Sequence, residues 1–102
     1  MTTSPAQPSC AAFELRRALD GLIYRFDLAR DPQGRPGYRR ADRDLWIIRH
    51  PSLGWIAGSH DGTEIFGRPW DVPPEAQGAA PPEGTWVSRK GDKSYVYTLV
   101  HL

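Results

Sequence analysis

Hydrophobic and aromatic side chains recur at every second position in several short runs of this chain. In LIYRFDL, residues 22–28, one face carries the alternating set Leu22, Tyr24, Phe26 and Leu28. Such alternation is typical of a half-buried β-strand, because successive side chains point to opposite faces of a sheet. The C-terminal run SYVYTLVHL alternates in the same way, and the letters KGDK before it predict a hairpin turn.

Further short runs, such as LWIIRH and GWIAGS, are separated by turn-forming segments that contain glycine or proline. The spacing predicts about six or seven short strands in a mainly β fold, a small antiparallel β-sandwich or barrel-like meander. Residues 10–20 admit either a short helix that ends at Gly21 or a strand with Phe13 and Leu15 on one side. We favour a short N-terminal helix.

With 102 residues the chain is expected to form one domain. Residues 1–9 are rich in proline, serine and threonine and are predicted to be a flexible tail. Residues 10–102 form the predicted β-rich domain. Within it, residues 67–84 contain five prolines and three glycines, which predicts a long loop without a central strand or a helix.

The formal net charge of +1 does not match the strongly basic balance of a dedicated nucleic-acid binder. The single cysteine, Cys10, excludes an internal disulfide and fits a reducing compartment. No run is long and apolar enough to span a membrane, and the N-terminus lacks the pattern of a secretory signal. A cytoplasmic location is therefore expected.

Three stretches follow a recognisable order: GRPGYRR at 34–40, LWIIRHPSLGWIAG at 45–58 and PPEGTWVSRKG at 81–91. This order resembles a small β-module that recurs in some eukaryotic multidomain proteins, with a Gly-Arg-Pro-x-Tyr, Trp-x-Ile-Gly and Pro-Pro-x-x-Gly-Trp pattern. The chain departs from that pattern by Thr85 before Trp86 and by a longer proline-rich segment. The resemblance implies a β-fold and carries no activity.

Arginines cluster around an aromatic residue between positions 35 and 43. The candidate binding residues are Arg35, Tyr38, Arg39, Arg40 and Arg43, together with Trp70 in the proline-rich loop and His60 in a turn. Arginine and tryptophan are frequent anchors at protein interfaces, whereas the interspersed aspartates weaken the case for nucleic acid. We therefore predict a non-enzymatic protein-binding module, an inhibitor, regulator or adaptor, with a protein partner and no cofactor.

Two alternatives remain open. Trp70 with a tyrosine is also suited to stack on a small ligand or a carbohydrate. A small hydrolase would use His60 and Asp61, but adjacent turn residues point apart and lack a positioned nucleophile. The histidines His50, His60 and His101 show no metal-ligand spacing, so no metal site is predicted.

Overall fold

A computed structural model describes residues 10–102, so the predicted tail, 1–9, lies outside the described residues. The regular structure is almost entirely β, with a single turn of 3-10 helix at Pro74–Ala76. The strands are β1 (Ala12–Arg17), β2 (Ile23–Arg30), β3 (Pro36–Arg40), β4 (Trp46–His50), β5 (Gly54–Gly58), β6 (Ile65–Pro69), β7 (Gly84–Lys90) and β8 (Lys93–His101).

The eight strands form a closed antiparallel barrel in chain order. Each strand pairs with the next, and β1 also pairs with β8. Leu15 lies opposite Tyr24 on β2 and Leu99 on β8, so the first and last strands seal the sheet. Closure leaves no strand with an unpaired edge. The predicted mainly β, barrel-like meander is confirmed, with more strands than the sequence runs indicated.

The predicted N-terminal helix is wrong, because Ala12–Arg17 form β1. Phe13 and Leu15 are buried and face the barrel interior. The strand forms hydrogen bonds on both sides, to β2 and to β8, and this tertiary pairing outweighs a weak local helical pattern. Gly21 does adopt a positive φ of 71°, but it does so in the hairpin turn between β1 and β2.

Aromatic side chains make up much of the barrel core. Cross-strand partners share a face of the sheet, and the buried inward-facing set is Phe13, Leu15, Phe26, Tyr38, Ile47, Trp55, Ala57, Trp86 and Leu99. The Phe13 ring stacks on Phe26 at 5.2 Å and tilts against Tyr38 at 4.9 Å between centroids. Burial of these large rings is the main stabilising term of a domain of this size.

The segment that joins β6 to β7 covers one end of the barrel, which we name the closed end. Gln77 anchors it: its Oε1 accepts the Trp55 backbone N–H at 2.8 Å, and its Nε2 donates to the Val72 carbonyl at 2.8 Å. The Trp55 indole donates to the Gly78 carbonyl at 3.0 Å. The loop predicted at 67–84 is therefore shorter than expected: Ile65–Pro69 form β6, and residues 70–83 are held against the barrel.

The opposite end carries the connections 18–22, 41–45, 59–64 and 91–92, and we name it the open end. No segment comparable to residues 70–83 crosses it within the described part of the chain. One of its connections, 59–64, folds back against the outer face of β4, where a Cβ built on Gly62 would lie 3.4 Å from the His50 ring. The interior of the barrel is therefore accessible from this end.

Candidate functional site

A cavity of about 290 Å³ lies inside the barrel and opens at the open end. Its volume is close to the lower limit of about 300 Å³ for small-molecule sites. Its floor is the apolar core, where Leu15, Phe26 and Trp86 meet. The Trp86 indole donates to the Pro82 carbonyl at 2.9 Å, which fixes the ring between the cavity and the closed end.

Three tyrosines form the next layer above the floor. Tyr24 on β2 and Tyr97 on β8 are separated by 6.2 Å between ring centroids, and Tyr95 lies one inward position earlier on β8, nearer the open end. All three line the cavity. Tyrosine supplies a flat apolar surface and a polar hydroxyl, which is a common combination in sites that orient an organic ligand.

Arg17 points into the barrel at the end of β1, where its register partner is Tyr97. Its side chain is only 19% exposed, and its Nε and Nη2 donate to the two carboxylate oxygens of Asp20 at 2.9 and 2.6 Å. These hydrogen bonds raise the pKa of Arg17 above its ordinary value and lower the pKa of Asp20 to about 2. Arg17 is thus a fixed, permanently charged group at the cavity wall.

Arg40 repeats this arrangement from β3. Its Nε and Nη2 both donate to the carboxylate of Asp42, with Nη2 at 2.9 Å, and its side chain is 16% exposed. The hydrogen bond from Arg40 lowers the pKa of Asp42. Its guanidinium carbon lies 4.0 Å from the Tyr24 ring centroid, and that of Arg17 lies 5.9 Å from the same centroid. Both arginines therefore lie close to the same tyrosine ring.

The cavity lining is strongly biased toward positive charge. It includes five basic residues, Arg17, Arg40, Arg43, Arg89 and Lys90, and no carboxylate, histidine or cysteine among the described residues. Asp20 and Asp42 pair with two of the five from the adjacent turns. Within residues 10–102, Arg43, Arg89 and Lys90 form no ion pair within 4.0 Å. The charged side chains of the cavity lining are therefore all positive, although Asp42 lies close enough to Arg43 for that arginine to contribute to its lowered pKa.

The arginines predicted from the sequence do not form one surface. Arg40 and Arg43 line the cavity, but Arg39 alternates to the outer face and approaches Asp44 at 3.6 Å. Arg35 lies in the β2–β3 connection and pairs with Asp31 at 2.8 Å. The predicted binding face of residues 35–43 is corrected accordingly, because alternation along β3 sends neighbouring side chains in opposite directions.

Tyr38 is part of the core, so it offers no surface to a partner. It is fully buried, and its hydroxyl donates to the Cys10 carbonyl at 2.7 Å. Burial, together with contact with the Cys10 thiol, raises the pKa of Tyr38 above its ordinary value. The prediction that Tyr38 is a surface binding residue is therefore corrected. Tyr38 was selected because it lies among arginines in the sequence, but its position on β3 points its ring into the barrel.

Trp70 is exposed rather than packed on the sheet. Its side chain is 71% accessible, while its backbone N–H donates to the Thr85 carbonyl at 2.8 Å. The residue sits at the start of the loop at the closed end and does not line the cavity. Any ligand in the cavity is therefore out of reach of Trp70, which was the aromatic that the sequence favoured for stacking.

His60 and Asp61 lie in different surroundings. Asp61 accepts hydrogen bonds from the backbone and hydroxyl of Thr63 and from the Ser59 hydroxyl, which hold its pKa well below its usual range. The His60 ring lies against Trp46 in an edge-on arrangement, and its buried Nδ1 has no hydrogen-bond partner among the described residues and lies 3.8 Å from Asp31 Oδ2. Neither residue lines the cavity, so the geometry gives the hydrolase alternative no support.

Asp31 is the one buried acidic residue of the described chain, and its hydrogen-bond partners are local. It accepts the Gln33 and Arg35 backbone N–H groups at 2.9 Å each and the Arg35 guanidinium at 2.8 Å. Burial raises its pKa, but these hydrogen bonds outweigh burial and the net pKa is lowered. Its carboxylate is therefore already used in the β2–β3 connection.

Within residues 10–102 no cluster of three or more histidine, cysteine, aspartate or glutamate side chains is arranged to hold a metal ion. Nor does that part of the chain contain a helix with the length and apolar character needed to cross a bilayer. The expected absence of a cofactor, the non-enzymatic assignment and the cytoplasmic location stay predictions.

Several cavity residues were missed in the sequence, chiefly Arg17, Tyr24, Tyr95, Tyr97 and Lys90. The available signal was their register: Arg17 follows Phe13 and Leu15 at period two, so it continues a buried face with a charge. Charged side chains are rarely buried unless they are paired. A charged residue that continues a row of core positions therefore indicates a functional site or a paired charge rather than a solvated face.

No protein-family model, curated protein or solved structure matches the chain.

Proposed function

We propose that the open end of the barrel binds a small organic anion. The apolar or aromatic part of the ligand enters between the tyrosines and rests on the core, and its acidic group stays among the basic residues at the mouth. This favours the ligand-binding alternative over the protein-binding module, with the tyrosines in the place of Trp70. The supporting observation is a cavity lined by five basic and no acidic residues above an aromatic floor.

Electrostatics supports the anionic character of the ligand. A cleft with low-dielectric walls and charges of one sign concentrates the opposite charge at its mouth. Arg43 and Lys90 form no ion pair within the described chain, so both can contribute to binding an anion. Because both are exposed, their contribution is sensitive to salt.

The direct test is a fluorescence titration with the aromatic sulfonate 1-anilinonaphthalene-8-sulfonate, repeated for Arg43→Ala and Arg68→Ala. Both variants lose one positive charge, but Arg68 alternates to the outer face of β6 and does not line the cavity. We expect Arg43→Ala to weaken binding about fivefold to tenfold, and Arg68→Ala to change it less than twofold. Equal effects of the two variants would reject the site.

A protein partner is the second candidate, because Trp70 is 71% exposed on a loop that Gln77 holds in place. An exposed tryptophan on an ordered support is the usual anchor of an interface. A pull-down with the wild-type chain and with Trp70→Ala tests this candidate. A partner recovered equally by both proteins would show that Trp70 is not its anchor.

A further inference from the structure

We infer that the anion is a phosphate monoester carried on an aromatic ring, held by Arg17 and Arg40, whose guanidiniums both lie near the Tyr24 ring; this inference rests on the proposed function. Both guanidiniums are fixed inside the barrel, and both use the same edge for their aspartate. The Nε and Nη2 atoms of Arg17 bind Asp20, and those of Arg40 bind Asp42.

The remaining hydrogen-bond donors of the two arginines decide how a ligand can bind. A guanidinium has five N–H groups, so a carboxylate on the Nε–Nη2 edge leaves both Nη1 hydrogens and one Nη2 hydrogen. Asp20 and Asp42 therefore orient the arginines without exhausting them. The remaining N–H groups of the two guanidiniums are the kind of donors that arginine uses to bind phosphate and carboxylate.

The number of charges distinguishes phosphate from carboxylate. After the aspartate pairs are counted, Arg43, Arg89 and Lys90 still contribute positive charge at the mouth. A carboxylate carries one negative charge, whereas a phosphate monoester at pH 7 carries about −1.5 to −2 and has three acceptor oxygens. The surplus of positive charge and the two arginine forks match the phosphate better.

The walls of the cavity determine the rest of the ligand. Tyr24, Tyr95 and Tyr97 stand above the Trp86 ring, and rings prefer offset or edge-to-face contact with other rings. The volume of about 290 Å³ equals about ten water molecules at ~30 Å³ each. A substituted aromatic ring fits this space.

Calorimetric titrations with phenyl phosphate, benzoate and inorganic phosphate at equal ionic strength test the inference. We expect phenyl phosphate to bind about tenfold more tightly than benzoate, the gain of one charge-assisted hydrogen bond. Inorganic phosphate is expected to bind about tenfold more weakly than phenyl phosphate, because it lacks the ring. The advantage over benzoate should shrink at pH 5.5, since the phosphate takes up a proton near pH 6.

Arg40→Lys and Arg39→Lys provide the matched pair. Both keep the charge and lie next to each other on β3, but only Arg40 faces the cavity. We expect Arg40→Lys to lower the affinity for phenyl phosphate about tenfold and Arg39→Lys to leave it unchanged. Thermal unfolding of each variant confirms that it is folded. If Arg40→Lys does not fold, the titration with phenyl phosphate is repeated with Tyr97→Leu instead. This variant removes the contact between the Tyr97 ring and the ring of the ligand.

The outcomes separate this inference from the proposed function. If benzoate binds as tightly as phenyl phosphate and Arg43→Ala weakens both, the anion site stands and the phosphate assignment is overturned. If inorganic phosphate matches phenyl phosphate, the ring assignment is overturned. If none of the three probes nor the aromatic sulfonate binds, the proposed function itself is rejected.

Discussion

The guanidinium carbon of Arg40 lies 4.0 Å from the centroid of the Tyr24 ring, inside the open end of the barrel. A charged side chain that points inward beside a hydrophobic core is costly unless its hydrogen bonds are satisfied. Two contacts offset this cost for Arg40: the cation–π contact with the Tyr24 ring and the hydrogen bonds to the Asp42 carboxylate. The contact therefore holds a cation in place where a ligand can reach it.

Two substitutions of Tyr24 distinguish the contribution of its ring from that of its hydroxyl. Tyr24→Phe keeps the ring face, so we expect the affinity for phenyl phosphate to stay within about twofold of wild type. Tyr24→Leu removes the cation–π contact and frees the guanidinium, and we expect the affinity to fall at least about fivefold. Calorimetric titration of both variants measures the difference. Equal affinities would show that the ring does not position Arg40.

Two glycines with similar backbone angles provide a matched test of the closed end. Gly54 has φ of 75° and Gly21 has φ of 71°, but their surroundings differ. A Cβ on Gly54 would overlap Gln77 Oε1 and come within 3.2 Å of the Pro74 Cβ, whereas a Cβ on Gly21 meets nothing within 4 Å. Only Gly54 therefore has a steric reason to remain glycine in addition to its backbone angle.

We expect Gly21→Ala to lower the free energy of unfolding by about 1 kcal/mol, the cost of a left-handed alanine. Gly54→Ala is expected to cost about 2–4 kcal/mol, because it also displaces the anchor of residues 70–83. Urea denaturation of both variants measures the two costs. A loss for Gly54→Ala no larger than that for Gly21→Ala would show that Gln77 does not anchor the loop.

The alternation of apolar and polar residues at every second position predicted most strands of the barrel but not its closure. The runs around Tyr24 and Tyr97 alternate clearly, so β2 and β8 were expected. The strand at Ala12–Arg17 was mistaken for a helix, because its apolar residues satisfy both periods and the deciding fact is its pairing with β8. A pairing between residues more than 80 positions apart has no local signal, and tertiary context overrides propensity in such a strand.

The site was less predictable than the fold. Arg40 and Arg43 were selected because they lie in an arginine-rich stretch, and only their alternation with Arg39 decides which of them enter the cavity. Arg17 was overlooked because it looks like an ordinary exposed residue at the end of a run. Its alternation with Phe13 and Leu15 indicates a shared face, but only the pairing of β1 with β8 shows that this face lines a cavity.

Acid should destabilise the fold through its paired carboxylates. Several have pKa values below the ordinary value: Asp20, Asp31, Asp42, Asp44 and Asp61. The unfolded chain takes up protons near pH 4 while the folded chain resists them, so stability is present above that pH and is lost as pH falls toward about 2. The urea midpoint should therefore drop between about pH 5 and about pH 2.5. A constant midpoint across this range would contradict the assigned pairs.

The two tryptophans at Trp70 and Trp86 should differ sharply in their effect on stability. Trp70 is 71% exposed and Trp86 is 2% exposed. We expect Trp70→Ala to change the free energy of unfolding by less than about 0.5 kcal/mol, and Trp86→Ala to cost about 3–5 kcal/mol. Thermal or urea unfolding measures both. A large loss for Trp70→Ala would place that ring in a packed environment.

The most direct test of an anion site at the open end uses the four tryptophan indoles as reporters in a two-dimensional 15N NMR titration with phenyl phosphate. Trp86 forms the cavity floor, Trp55 bonds to the loop of the closed end, Trp46 bonds to Asp44 and Trp70 is exposed. Binding in the cavity predicts a saturating shift of the Trp86 indole, with the other three nearly unmoved. Saturating shifts at Trp70 with Trp86 unmoved would contradict the account.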